Sequence, residues 1–81
     1  MSRARSRELL HLGRCLALAR AFAGLTQGEA AVSMGVSRKS VSLWETGVHE
    51  PGALDCLHLA DLYGVGVEML CGRAPLPALL P

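Results

Sequence analysis

The chain has 81 residues, enough for one small domain, and 51% of them are hydrophobic while only Phe22, Trp44 and Tyr63 are aromatic. Its core must therefore be built mainly from Leu, Val, Ala and Met, a set that suits packed helices better than a sheet. A formal net charge of +1 predicts by itself no affinity for nucleic acid, and no stretch approaches the ~20 apolar residues of a membrane span.

Along the chain the charge is uneven. Residues 1–40 carry seven basic residues (Arg3, Arg5, Arg7, Arg14, Arg20, Arg38, Lys39) against Glu8 and Glu29, a balance of +5. From Val41 onward Arg73 alone opposes Glu45, Glu50, Asp55, Asp61 and Glu68, a balance of −4. One end is thus suited to a polyanion, the other to something else.

Residues 1–8 form a basic arm. Behind it Leu9, Leu12, Leu16, Ala19 and Phe22 recur at helical spacing and predict a first helix from about Ser6 to Ala23. Gly24 takes the left-handed position past its end. Thr26-Gln27-Gly28-Glu29 is a capping box, in which hydroxyl and carboxylate satisfy each other's free amides, with Leu25 and Ala30 as its hydrophobic staple. The short second helix ends at Met34, before Gly35. Ser37 then caps a third helix, from Arg38 to about Thr46, with Val36 stapled onto Val41 and Gly47 as the stop. A turn as short as Gly35-Val36-Ser37 cannot lay two helices side by side, and fits the steep crossing of a helix-turn-helix.

The fourth helix follows Pro51-Gly52 and ends before Gly64. Its apolar positions, Ala53, Leu54, Cys56, Leu57, Leu59, Ala60, Leu62 and Tyr63, cover an arc too wide for one core-facing surface. A fifth helix, about Val67 to Cys71, closes the domain, which spans residues 9–72. A tail at 73–81 carries three prolines among leucines and alanines. The fold class is all-α, with five helices, no internal repeat and no second domain.

Cys15, Cys56 and Cys71 have no CxxC spacing, and His11, His49 and His58 pair with none of them at a ligand-like spacing. No metal site and no cofactor are expected; the cysteines are read as small buried hydrophobes in a reducing cytosol. The N-terminus imitates a signal peptide, but His11, Arg14 and Arg20 interrupt every apolar run, so a soluble, cytoplasmic protein is expected.

From Leu12 to about Gly72 the chain resembles the Cro/phage-repressor (Xre-type) helix-turn-helix family. The matching residues are Gly24-Leu25-Thr26-Gln27, Ala31, Gly35-Val36-Ser37, Val41-Ser42, Trp44-Glu45, Gly47, Glu50-Pro51, Ala60 and Gly64-Val65. The resemblance implies a five-helix Cro/repressor-like domain, with Gln27–Met34 as positioning helix and Arg38–Thr46 as recognition helix in the major groove of double-stranded operator DNA. It also implies that Gln27 anchors the DNA backbone and that Arg20 pairs with Glu45, an ion pair that fixes how the recognition helix is presented without touching DNA.

The chemistry of these positions is compatible with those roles. Gln27 opens a helix whose free amides can meet a phosphate. Arg38 and Lys39 lie on the first turn of the third helix; arginine grips guanine O6 and N7 bidentately, and lysine reaches guanine or a phosphate. Leu43, one turn on, suits a thymine methyl or a protein contact. Ser37 and Ser42 can donate to phosphate or base, while Val41 and Trp44 fall on the opposite, core-facing side.

Two features depart from the family. The loop Thr46-Gly47-Val48-His49-Glu50 has no lysine or arginine, and Gly28 weakens the second helix by roughly 1 kcal/mol relative to alanine. The Arg3-Arg5-Arg7 arm either enters a neighbouring groove or is disordered; disorder is expected in the free protein.

One recognition helix reads too few base pairs to select an operator. A two-fold homodimer on a palindromic site, with half-sites about 34 Å apart, is therefore expected. The surplus apolar residues Leu54, Leu62, Val67, Leu70, Leu76, Leu79 and Leu80 supply an interface, or else fold back over the monomer's own core. The expected function is a transcriptional regulator, a repressor by preference. The rival is an antitoxin-like or adaptor protein whose fourth helix and tail bind a protein partner. No nucleophile–base pair, no phosphate loop and too little chain for a pocket argue against an enzyme.

Overall fold

A computed structural model describes residues 3–71, with side chains from residue 6 onward. Five helices follow in order: α1 (Arg3–Phe22), α2 (Gln27–Met34), α3 (Arg38–Glu45), α4 (Ala53–Tyr63) and α5 (Val67–Leu70), with no strand among the described residues. α1 starts at Arg3 rather than near Ser6. The basic arm from Arg3 on is therefore the first turn of a helix and not the disordered segment expected. Arginine and alanine are good helix formers, and no breaker stands between Arg3 and Gly13.

The interior boundaries follow local chemistry. Thr26 Oγ1 accepts the Glu29 amide at 3.0 Å and Glu29 Oε1 accepts the Thr26 amide at 2.9 Å, closing the capping box. The Thr26 backbone amide, and after it the Thr26 side chain, hold the Glu29 carboxyl below its ordinary pKa. Gly35, at φ 70, ends α2 and lets the Val36 amide return to Ala31 O. Ser37 Oγ then caps α3 by accepting the Ser40 amide at 3.1 Å. α3 stops at Glu45, one residue before the expected end. The Thr46 hydroxyl there donates to Ser42 O at 3.0 Å, and Thr46 becomes the last half-helical residue.

The core joins all five helices through Leu16, Ala19, Ala30, Ala31, Val41, Trp44, Leu59, Ala60, Tyr63 and Leu70. Alanines 19, 30, 31 and 60 let the backbones approach closely, and Leu16, Leu59, Leu70 and Val41 are the largest fully buried side chains. Truncating any of these leucines to alanine removes burial and leaves a cavity, a loss of about 2–5 kcal/mol.

Leu70 corrects the sequence reading. It is 0% exposed in the monomer core, so it is not part of a dimer interface. α5 packs on both α1 and α4 and drives this one leucine between them. Leu62 and Val67 are partly buried against the same core; Leu54, at 70% exposure, remains open. Leu76, Leu79 and Leu80 lie outside the described residues. The cysteines also divide. Cys15 is buried and Cys56 half-buried, and burial raises both thiol pKa values, whereas Cys71 is exposed and is not the buried hydrophobe expected. It follows Leu70 directly, and one helical step past an inward residue points elsewhere.

His11 and Cys15, four residues apart, do meet: Nε2 lies 3.8 Å from Sγ, a proximity the spacing argument overlooked. Among the described residues no group of three His, Cys, Asp or Glu could hold a metal. No single helix described is long and apolar enough to cross a membrane. α1 from Ser6 and α2 reach that length only as a pair bent by 97°.

Candidate nucleic-acid interface

α3 is presented by its buried side. Val41 (1% exposed) and Trp44 (8%) sink into the core one helical turn apart, which leaves Arg38 and Lys39 exposed and Ser42 and Leu43 half-buried. Arg38 and Ser42 lie one turn apart, as do Lys39 and Leu43, so four of the expected contact residues share the outer half of one short helix. Ser37 is exposed, but its hydroxyl already caps α3 and lies 3.1 Å from Ser40 Oγ. Any bond it makes outward is shared with Ser40, a residue the sequence reading passed over.

Behind this helix stands a polar knot. Arg20 Nε lies 2.6 Å from Glu45 Oε2 and Nη2 lies 3.0 Å from Oε1, a two-pronged pair, while Nη1 donates to Leu25 O at 2.8 Å. The Arg20 side chain is 18% exposed and that of Glu45 6%. The hydrogen bond to Glu45 raises the Arg20 pKa further, so the cation is permanent. Tyr63 lies close enough to feel both charges. Its burial, helped by the Glu45 charge, pushes the phenol from its ordinary 10.0 to about 12.

Gln27 joins the same knot. Its Nε2 donates to Glu45 Oε1 at 3.0 Å, so α1, α2 and α3 meet on one carboxylate. Sequence reasoning aimed this side chain only outward. The structure gives it an inward bond as well, and the half-buried position of Gln27 at the start of α2 is the reason. Arg20, Ala21, Leu25, Thr26, Gln27, Gly28 and Arg38 line an open groove of about 580 Å³. Gln27 and Arg38 are thereby brought to one concavity, along the seam between the start of α2 and the start of α3.

The seat of α3 on α1 was also missed. Gly13 lies in mid-helix against the carbonyls of Trp44 and Glu45, and a Cβ there would stand 2.5 Å from Glu45 O. The available signal was the glycine itself, since an interior helical glycine is destabilising unless close packing needs it. Gly47, at φ 76, sits 3.1 Å from Leu10 Cα by the same measure.

Among the described candidate dimer residues, Leu62 and Val67 are partly buried against the core and Leu54 is open. Leu70 is internal, and the large exposed apolar residues of α4 are Leu54 (70%) and Leu57 (50%), the latter absent from the expected set.

Comparison with known proteins gives three findings. Residues 11–70 match the helix-turn-helix domain family. The HTH-type transcriptional regulator ImmR of Bacillus subtilis (strain 168) is 34% identical over 64 residues, which cover 79% of this chain and 50% of that protein. The chain thus spans half the length of that relative. The restriction-modification controller protein C.AhdI from Aeromonas hydrophila superimposes with a TM-score of 0.74 at 26% identity, over 79% of this chain and 97% of the other.

Proposed function

The chain belongs to the helix-turn-helix domain family, of the Cro/Xre type, and from that premise we propose that it binds a specific double-stranded DNA site through α3 and regulates transcription. The observation that carries this reading is the presentation of α3. Its apolar side is locked in the core while Arg38 and Lys39 stand exposed at its N-terminal end, beside the groove that Gln27 shares. In this reading Arg38 reads a guanine, Lys39 a guanine or a phosphate, and Leu43 a thymine methyl. Ser37 and Ser42 donate to phosphate or base, and Gln27 anchors the backbone.

The protein acts in the cytoplasm as a repressor, in a two-fold dimer on a palindrome. Leu54 and Leu57, both exposed on α4, support such an interface. Symmetry puts the same patch on both subunits and turns both α3 helices to one side.

Selection of duplexes from a random pool, followed by binding at several salt concentrations, tests the reading. It requires an enriched palindrome and an affinity that falls steeply with salt. Arg38→Ala should cost about 1–3 kcal/mol on the selected site and relax one base position, whereas Gln27→Ala should weaken every duplex alike. No enriched sequence, or an affinity indifferent to salt, removes the proposal; a strict monomer in sedimentation removes the dimer alone.

A further inference from the structure

Gly13 is an expensive residue for α1, because glycine in the middle of a helix is less stable than alanine. Its surroundings explain it. A Cβ on Gly13 would lie 2.5 Å from Glu45 O, 2.8 Å from Trp44 O and 2.9 Å from the Glu45 carbonyl carbon, all main-chain atoms that cannot step aside by changing rotamer. One turn earlier the backbone of Leu10 lies against Gly47, where a Cβ would be 3.1 Å from Leu10 Cα and 3.2 Å from Leu10 N. A single turn of α1 therefore rests directly on the backbone of the end of α3 and of the turn just past it. Two turns further along α1, Arg20 grips the Glu45 carboxylate. α1 holds Glu45 twice, by its main chain at Gly13 and by its side chain at Arg20.

We propose that Gly13 is a positioning residue for DNA reading: the bare backbone there sets the angle at which α3 leaves its seat. The inference rests on α3 being the DNA-reading helix. A methyl at Gly13 would need about 1 Å of added separation to reach ordinary van der Waals contact. With the carboxylate tethered by Arg20, that displacement tilts α3 about its C-terminal end. Arg38 stands seven residues away, about 10 Å along the helix, and moves out of register with the base edges while its charge stays near the phosphates.

The test is Gly13→Ala in a Gly52→Ser background, with Gly52→Ser alone as reference. Serine at that position offers α4 the side-chain cap it lacks and returns a small part of any stability lost. Folding is checked by circular dichroism and Trp44 fluorescence, and Kd is measured for the selected duplex and for a random one at one salt concentration. The double variant should keep its affinity for random duplex within about twofold and lose about tenfold on the selected site, the scale of one misplaced bidentate contact. An unchanged ratio of the two affinities overturns the proposal. Arg20→Lys keeps the charge but gives up the two-pronged grip, and should lower the same ratio. An unchanged ratio there overturns the two-point seat, and this variant decides if the double variant does not fold. A reference protein with no preference for any duplex overturns the DNA-reading role of α3 itself, and the proposal with it.

Discussion

α2 and α3 each begin at a side chain that caps them, Thr26 and Ser37, whereas α4 and α5 begin at Gly52 and Gly66, which make no side-chain cap bond. The first pair also holds Gln27 and Glu45, which join Arg20 of α1 in the polar knot. The second pair contributes Leu59, Ala60, Tyr63 and Leu70 to the core, and Tyr63 feels the charges of the knot. The helix-turn-helix half is thus specified locally, turn by turn, and the other half is specified by what it buries. A helix without caps depends on its tertiary contacts, so the two halves should fail in different ways.

The largest effect should come from the uncapped half. Leu70→Ala should lower stability by about 3–4 kcal/mol, since the residue is fully enclosed and α5 is too short to persist alone. Chemical denaturation measures it, and a loss below about 1 kcal/mol would show that α5 is dispensable.

Glu45→Ala strikes the polar knot of the other half. It leaves Arg20 without its carboxylate and Gln27 without its acceptor. A loss of about 3 kcal/mol is expected, the lower end for a broken buried pair, because Arg20 keeps some solvent. An unchanged denaturation midpoint would mean that water replaces the carboxylate at no cost.

Tyr63 links the two halves and makes stability depend on pH. Its phenol ionises near 10.0 when unfolded and near 12 when folded. The unfolded chain therefore releases its proton first as pH rises. The contribution is complete below pH 10 and is lost between about 10 and 12, by about 2 kcal/mol. Tyr63→Phe should flatten that part of the pH profile, and a profile identical to wild type would place the alkaline loss elsewhere.

The smallest effects carry opposite signs. Thr26→Ala should cost about 1 kcal/mol, while Gly52→Ser should add a few tenths, because only the first removes an existing cap. Thermal melts at neutral pH compare them directly, and equal effects of one sign would erase the distinction between the halves.

The same distinction explains what could be read in advance. Thr26, Glu29, Gly35 and Ser37 act within a few residues of themselves, so the helix-turn-helix and its turn follow from spacing alone. Arg20 and Glu45 are 25 residues apart, and their pairing was suggested by resemblance to a family; no periodicity contains it. Leu70 shows the limit of apolar pattern, which says that a leucine will be covered but not whether its own chain or a second copy covers it. Gly13 was legible only as a weak point in a helix, because the carbonyls it meets belong to residues more than thirty positions away. Gln27 was aimed outward alone, since its partner on α3 is also non-local.

The position of Gln27 has one more consequence. Its side chain is held by Glu45 before any duplex arrives, so its rotamers are already restricted in the free protein. An amide nitrogen carries two hydrogens, and the bond to Glu45 uses one. In the anchoring role proposed, the second can meet a phosphate oxygen without breaking the first bond. The entropy of ordering that side chain is then spent in folding rather than in association, and the backbone contact arrives preorganised.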